Sequence, residues 1–232
     1  MKKSIIENFI NRYSLGGEVE SVKIEANNTE MKVSFISDDK TLLGNVTTID
    51  GNFPNGEFGI YTTSKLKALL GVLDPNFDVK SNGSYIKFAD SFGTSVNYML
   101  ADLSVIPTVP DLKQMPEFNS EIVLDDEFVS TFIKSTSALS ESDTFTFSCI
   151  SEEAEIILGY STLNTNRISI KVKCTCDDDV QAISFSAKYL KEILNANRGS
   201  KSATLKISSH GLAHLNFQKD EVESNYYLVE IK

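Results

Sequence analysis

The feature that most constrains this chain is an order of predicted elements that occurs twice along its length. In each half, a helix precedes a meander of strands, and a second helix precedes further strands. Aligning residues 61–70 with 185–194 pairs Leu66 with Leu190 and Leu70 with Leu194. These identities are too few to carry a prediction, whereas a repeated order of elements is typical of a duplicated unit. The 232 residues therefore predict two similar α+β domains.

Apolar residues at helical spacing predict two helices in the first half. Ser4 and Glu7 form a capping-box pattern at the start of a helix over 4–13. A second helix is expected over 62–73, where leucines recur on one face. From about residue 19 to residue 60, apolar and polar residues alternate, which is typical of antiparallel strands.

The second half follows the same order. Asp125 and Asp126 stand before a run with apolar residues at helical spacing, so we expect this pair to cap a third helix. Alternating segments then predict strands. Residues 186–197 predict a fourth helix, whose core face carries Leu190, Ile193 and Leu194.

A proline-rich stretch separates the two halves. Residues 103–116 contain three of the five prolines and show little periodicity, which favours a connector over a helix or a strand. We therefore expect an N-terminal domain at 1–104, a linker at 105–118 and a C-terminal domain at 119–232. The apolar residues of the linker indicate that it lies against the body of the protein.

The composition is that of a globular protein that does not cross a membrane. Hydrophobic residues make up 41% of the chain and charged residues 23%, and no apolar run could span a bilayer. Lys2 and Lys3 resemble the basic end of a signal peptide, but polar residues interrupt the segment that follows. We expect a cytoplasmic protein.

The three cysteines, Cys149, Cys174 and Cys176, argue against a disulfide framework because their number is odd. A reducing compartment is consistent with this expectation. Cys174 and Cys176 would lie on one face of a strand, but no second Cys or His pair completes a metal site. We expect core cysteines, with no metal and no cofactor.

The distribution of charge is more informative than the net charge of −10. A helix that packs on a sheet shows its opposite face to solvent, and the predicted helices carry lysines there among small residues. Acidic residues instead cluster in predicted turns and strand ends, at 38–39, 152–153, 177–179 and 220–223. Basic residues without a base-reading motif suit sequence-independent contact with phosphates. No Trp is present, and the helical faces carry no exposed aromatic residue on which bases could stack.

Two other classes of function compete with a nucleic-acid partner. An enzyme would need a catalytic constellation, and His210 and His214 are the only histidines. In the strand predicted there, residues four apart point the same way but lie far apart, so satisfied or exposed histidines are expected. The other alternative is an acidic two-domain β-rich structural or adaptor protein without a DNA role.

The order and identity of several segments resemble a known family. These segments are Ile60–Tyr61 before the leucine-rich helix, Ile86–Asp90, the proline-rich linker, Ser120–Ile122 before a helix, and the terminal strand at Asn225–Leu228. Together they resemble the DNA polymerase sliding clamp, or processivity factor, of T4-like phages, which is related to the proliferating-cell nuclear antigen clamps.

The resemblance implies a fold and a mechanism without catalysis. The fold is α+β, with two similar clamp domains per chain, antiparallel sheets outside and two helices inside each domain, and three chains forming a six-domain ring. The ring would encircle duplex DNA and tether the replicative polymerase without sequence-specific binding. The residues expected to face DNA are Lys3, Arg12, Lys65, Lys67, Lys134, Lys188, Lys191 and Arg198.

If a phage encodes the chain, as the resemblance implies, the cytoplasm is that of the infected host cell, and the structural or adaptor alternative would be a phage protein. The resemblance also implies a set of partners. A clamp loader would place the homotrimer on DNA, and late-transcription factors are further expected partners. Clamps of this kind bind short peptide tails in an apolar pocket. The matching positions here are Ile106, Val109, Leu112, Tyr227 and Leu228.

Overall fold

A computed structural model describes residues 1–49, 52–112, 114–151, 153–161, 166–177, 179–200, 202–219 and 221–232. The chain divides into two compact units. The first unit comprises Met1–Asp38, Gly44–Pro110 and Asp220–Ser224, and the second comprises Asp39–Leu43, Asp111–Lys219 and Asn225–Lys232. The domain limits 1–104 and 119–232 stay a prediction. Glu152, Asp178 and Asp220 of the predicted acidic turns lie outside the described residues.

The first stretch of chain, as far as the proline-rich segment, contains two helices and seven strands among its described residues. Its elements in order are α1 (Lys3–Ser14), β1 (Val22–Ala26), β2 (Glu30–Ile36), β3 (Leu42–Ile49), β4 (Gly56–Ile60), α2 (Thr63–Gly71), β5 (Phe77–Ser81), β6 (Tyr85–Asp90) and β7 (Ser95–Met99). Short 3-10 turns follow α1 at Leu15–Gly17 and β7 at Leu103–Val105.

The remaining chain repeats this order with two more helices. Its elements are β8 (Ser120–Val123), α3 (Asp126–Ala138), β9 (Thr144–Ile150), β10 (Glu153–Leu158), β11 (Ile168–Val172), β12 (Cys174–Cys176), β13 (Val180–Ser186), α4 (Ala187–Ala196), β14 (Ser202–Ser208), β15 (Leu212–Lys219) and β16 (Val222–Val229).

Each unit carries antiparallel sheets. In the first unit the strand orders are β3-β2-β1-β4 and β5-β6-β7. In the second unit they are β12-β8-β14-β15-β16 and β11-β10-β9-β13. The register places Val22 opposite Ile60 in the first unit and Ile156 opposite Phe147 in the second. The alternating pattern of the sequence accordingly places alternate side chains of a strand in the core.

The helices of each unit bury their apolar faces. In the first unit Phe9 and Tyr13 of α1 are fully buried, and Thr63 at the start of α2 donates a hydrogen bond to the Tyr13 hydroxyl over 3.3 Å. In the second unit Phe132 of α3 packs edge-on against Phe145 of β9, with ring centroids 5.7 Å apart. Buried aromatic rings stabilise the packing of α1 and α3 in their units, because such rings remove large apolar areas from water.

The predicted helix starts were partly wrong. Asp125 caps α3 as predicted, since its carboxylate accepts a hydrogen bond from the Phe128 amide over 2.7 Å. The capping box at Ser4 does not form, because α1 begins at Lys3 with Lys2 at the capping position and no side-chain cap.

The stretch that holds both histidines is not one strand, contrary to the prediction. His210 lies in a turn, and β15 begins only at Leu212.

The prediction that the cysteines form no disulfide was wrong. Cys149 on β9 and Cys176 on β12 are bonded to each other, and Cys174 carries a free thiol. An odd number of cysteines excludes only complete pairing. Which two sulfurs meet depends on the packing of strands that are far apart in the sequence, and here the separation is 27 residues. Cys149 itself is a core residue, as expected, with no exposed surface.

Candidate nucleic-acid interface

The second helix presents two lysines to solvent. Lys65 is exposed and Lys67 is half-buried on α2, while Leu66 and Leu70 are buried on the opposite face. The sequence did not predict that an acidic residue, Glu20, lies beside the start of this helix. Its carboxylate accepts hydrogen bonds from the amide and the hydroxyl of Ser64, over 2.9 and 3.0 Å. It therefore caps α2 from outside the helix, which no local pattern could reveal.

Arg12 does not face solvent, so the prediction that it contacts DNA was wrong. Its side chain is fully buried, and one terminal nitrogen donates hydrogen bonds to the Ser224 hydroxyl over 3.1 Å and to the Val222 carbonyl over 3.4 Å. Arg12 lies three residues after Phe9 and therefore shares the buried stripe of the helix. Helical spacing places Arg12 on this stripe, but the burial of its guanidinium depends on partners distant in the sequence.

Lys3 has a structural role in the first unit. Its amine donates hydrogen bonds to the carbonyls of Gly71 over 3.1 Å and Leu73 over 2.9 Å, at the end of α2. A cation there satisfies carbonyls that lack helical partners. The Lys3 amine is therefore engaged at the end of α2 and is not a member of the proposed DNA surface.

The second unit brings two predicted cations to one cavity. Lys134 of α3 and Arg198, just after α4, are both exposed and line a cavity of about 400 Å³. The lining is mixed, and its apolar members include Val129, Leu194 and Phe217. Asp126 is also in the lining and offsets part of the positive charge. Because the two cations are far apart in the sequence, only the packing of α3 beside α4 brings them together.

Further basic groups surround the fourth helix. Lys188 is exposed and Lys191 is half-buried on α4, whereas Leu190 and Leu194 face the core. Lys219 was not among the residues expected to face DNA. Its amine donates a hydrogen bond to the Arg198 carbonyl over 3.1 Å. Lys219 ends β15, and nothing in its sequence surroundings indicates that it lies beside a helix terminus.

The residues of the predicted peptide pocket differ in exposure. In the first unit Ile106 is buried, and Val109 is half-buried. A Cβ added at Gly59 would lie 3.5 Å from Ile106 Cγ1 and 2.5 Å from the Ala101 carbonyl oxygen. The start of the linker therefore packs on the body of its unit, as predicted. Leu112 is exposed in the second unit.

Tyr227 belongs to an aromatic cluster on the second unit that the sequence did not predict. Its ring stacks on His214 with centroids 4.6 Å apart, and Phe118 lies 5.9 Å from the same histidine. By contrast, Leu228 is fully buried, so the prediction that it contacts a partner peptide was wrong. Alternation along β16 explains the difference, because neighbouring residues of a strand face opposite sides.

The surroundings of His214 in this cluster lower its pKa. Burial lowers the pKa of His214. The hydrogen bond between His214 Nε2 and Asn225 Oδ1, which are 3.0 Å apart, raises this pKa. Lys206, which pairs with His214 across β14 and β15, also lowers this pKa. His214 is therefore a satisfied, half-buried histidine. Within the described part of the chain, no group of three or more His, Cys, Asp or Glu side chains could hold a metal ion.

We expect stability to fall on acidification because of His214. A histidine whose pKa is lower in the folded state binds a proton more readily when unfolded, so stability decreases as the pH falls through its ordinary value of 6.5. The His214→Gln variant should lose less melting temperature than the wild type between neutral pH and pH below that value. Parallel thermal melts at several pH values measure this difference, and identical pH profiles would contradict it.

These features define a fold. Two helices and antiparallel sheets in each of two units are the fold of the PCNA-like sliding clamps. The chain is similar to Proliferating Cellular Nuclear Antigen from Entamoeba histolytica, with a TM-score of 0.73 over 100% of this chain and 96% of that chain. The two sequences share 14% identity, so the likeness shows the fold alone. The predicted clamp fold is confirmed.

Sequence comparisons add nothing to this likeness. No protein-family model and no curated protein matches the chain. In the described part of the chain, every helix is too short or too polar to cross a membrane.

Proposed function

We propose that this chain is a sliding clamp. Three copies would form a ring that encircles duplex DNA and tethers a replicative polymerase, giving processivity without sequence-specific binding and without catalysis. The observation that carries the proposal is the clamp fold combined with exposed lysines on α2, α3 and α4 in a chain of net charge −10. The T4-like phage type of this clamp rests on the sequence resemblance.

The proposed DNA surface is a set of separate cations on helices. Its members are Lys65, Lys67, Lys134, Lys188, Lys191 and Arg198. Each would contact phosphates through non-specific electrostatic attraction, which varies little with position along DNA and so permits sliding. A ring is held by topology, so a small number of such contacts is sufficient. The acidic residues in turns, such as Asp38 and Asp39, would disfavour DNA elsewhere.

Ring formation needs an interface between different surfaces of neighbouring copies. In the sheet β5-β6-β7, the N-terminal segment covers the edge at β5. The Phe77 amide donates a hydrogen bond to the Met1 carbonyl, and the Lys3 amide donates one to the Pro75 carbonyl. In the sheet β11-β10-β9-β13, the edge at β13 is covered in the same way, because the Ile231 amide donates a hydrogen bond to the Ser184 carbonyl. Among the described residues, β7 and β11 end their sheets without such cover.

We therefore propose that β7 of one copy pairs with β11 of the next. Exposed strand edges are ready templates for pairing with another chain. Large apolar side chains are exposed beside both edges. Met99 is the last residue of β7, and 66% of its surface is exposed. Val123 lines a cavity together with residues of β11, and 67% of its surface is exposed.

The interface proposal predicts that Met99→Asp converts the trimer to monomers. A charge buried at the pairing edge would raise the dissociation constant about a hundredfold, because a buried unpaired carboxylate costs several kcal/mol. Native mass spectrometry and sedimentation over a range of concentrations measure the change. The matched control is Val72→Asp, since Val72 is also exposed and apolar in the first unit but lies at the end of α2. A wild-type chain that stays monomeric at high concentration would contradict the clamp itself.

Polymerase, clamp loader and late-transcription factors are the proposed protein partners. Their peptide tails would bind on the second unit at Tyr227 and the adjoining rings of His214 and Phe118. Leu112, which precedes Phe118 in the sequence, is a further exposed apolar residue of this unit. Aromatic side chains with one polar end are common anchors of protein interfaces. We further propose a cytoplasmic location, where replication of the DNA would take place.

A further inference from the structure

The second unit contains a cluster of three sulfur atoms that the clamp function does not use. Cys149 of β9 is bonded to Cys176 of β12, and the Cys174 Sγ lies 3.3 Å from the Cys176 Sγ. Cys174 and Cys176 are two residues apart on one strand, so their side chains point to the same face. A free thiol is thus in contact with one sulfur of a disulfide.

We propose that these three cysteines form a thiol–disulfide exchange site. The thiolate of Cys174 attacks the Cys176 Sγ, and the Cys174–Cys176 bond forms as the Cys149–Cys176 bond breaks. The bonding electron pair of the old disulfide passes to the Cys149 Sγ, which leaves as a thiolate and takes up the proton that Cys174 lost. Because one disulfide replaces another, no external oxidant or reductant is needed.

The geometry of the strand allows both disulfides. Bond formation requires the two sulfurs to approach to about 2.05 Å, which side-chain rotation can supply from the observed separation. Residues two apart on a strand have Cα atoms about 6.6 Å apart, within the range that a disulfide spans. Both disulfides share Cys176, so the site would alternate between two partners of one sulfur.

The exchange would change what the disulfide connects. Cys149 belongs to the sheet β11-β10-β9-β13, whereas Cys176 belongs to β12, at the end of the other sheet of the second unit. The observed bond therefore joins the two sheets covalently. After exchange the bond would lie within β12, and this three-residue strand would be held by its pairing with β8 and by packing. Edge strands with few ladder bonds are the parts of a sheet that open most easily.

The surroundings of Cys174 control the rate of the reaction. Burial raises the pKa of the Cys174 thiol, and the neighbouring Glu121 carboxylate also raises it, while a hydrogen bond with Ser120 acts in the opposite direction. The attacking species is the thiolate. At pH values below the pKa of Cys174, the exchange rate should therefore increase about tenfold for each unit by which the pH rises. Disulfides in reducing compartments are typically transient and redox-sensing, which fits an exchangeable pair better than a permanent one.

Peptide mapping can test the proposal directly, because trypsin separates the two states. Cleavage after Lys134 and Arg167 places Cys149 on peptide 135–167, and cleavage after Lys173 and Lys188 places Cys174 and Cys176 together on peptide 174–188. The full-length protein, purified without reductant, is incubated in mildly alkaline buffer, quenched with acid and alkylated with N-ethylmaleimide after unfolding. Non-reducing mass spectrometry then assigns each disulfide.

We expect two populations that interconvert with time. One has peptides 135–167 and 174–188 cross-linked with the label on Cys174, and the other has an internal disulfide in 174–188 with the label on Cys149. In the Cys174→Ser variant the cross-linked pair should persist and Cys149 should stay unlabelled. A wild-type protein in which Cys149 is never labelled, or one with three free thiols, would overturn the proposal. Equal labelling of Cys149 in Cys174→Ser would do the same. The test does not depend on the clamp function.

Discussion

Once loaded on a nicked circular DNA, the protein is expected to remain bound through prolonged dilution and to leave within seconds to minutes when the circle is cut. The reason is topological. A closed ring can leave a circle only by opening at an interface, whereas it can slide off a free end. On the proposed function, the individual phosphate contacts of a chain with net charge −10 would be too few and too weak to retain it.

Gel filtration of the DNA-bound protein before and after restriction cleavage measures this effect. A linear DNA with bulky protein blocks at both ends is the control, because it should retain the ring although it is not circular. Retention on linear DNA with free ends would contradict a clamp and favour an ordinary DNA-binding protein. Absence from all of these DNAs despite a suitable loader would favour a structural or adaptor protein.

The second large effect is expected from reversing charges on the helices. Combining Lys65→Glu with Lys188→Glu should leave the trimer intact but reduce loading and processive synthesis at least tenfold. Both lysines are exposed and lie opposite the buried faces of α2 and α4, so the fold should tolerate the changes. Each lost phosphate contact removes counterion release and should lower the steepness of the salt dependence by about one unit.

A matched control uses the same change of charge on strands. Lys32 of β2 and Lys80 of β5 are exposed, and the Lys32→Glu with Lys80→Glu variant has the same net charge as the helix variant. We expect it to load and to support synthesis like the wild type. Primer extension on a singly primed circle at several salt concentrations compares the two variants. Equal losses in both would show that overall charge, and no particular surface, controls loading.

The cavity shared by Lys134 and Arg198 refines the proposed surface. Its two cations come from different parts of the second unit and line the same cavity, together with Asp126. From the sequence, these cations were given only as members of a list of residues expected to face DNA. Contact with DNA is therefore expected to be uneven around the ring, which the weaker basic character of α1 also favours.

Local signals predicted the helices well because helices are made of local contacts. Leucines on one face of 62–73 correspond to α2, and the core face at Leu190, Ile193 and Leu194 is buried in α4. The Asp125 cap was also predictable, because its partner is only three residues away. The capping box at Ser4 failed because the start of α1 is set by contacts with Pro75, far along the chain.

The candidate site was only partly predictable, since exposure depends on partners distant in sequence. Lys65, Lys134, Lys188 and Arg198 are exposed, so they can serve as predicted. Arg12 is buried because Ser224 and Val222 surround its guanidinium from more than two hundred residues away. Its place on the buried stripe was visible in the sequence, but a charged residue is buried only where such partners exist.

By itself, the sequence determined that this protein has two similar α+β units, joined by a proline-rich segment, with lysines on helical faces and acids in turns. Those properties follow from periodicity, capping and punctuation by proline, which act over a few residues. Only the tertiary structure decided which cations remain at the surface, which sulfurs meet and which strand edges stay open. The reason is that strand pairing and core packing join residues that are far apart in the chain, and no local pattern encodes their distance.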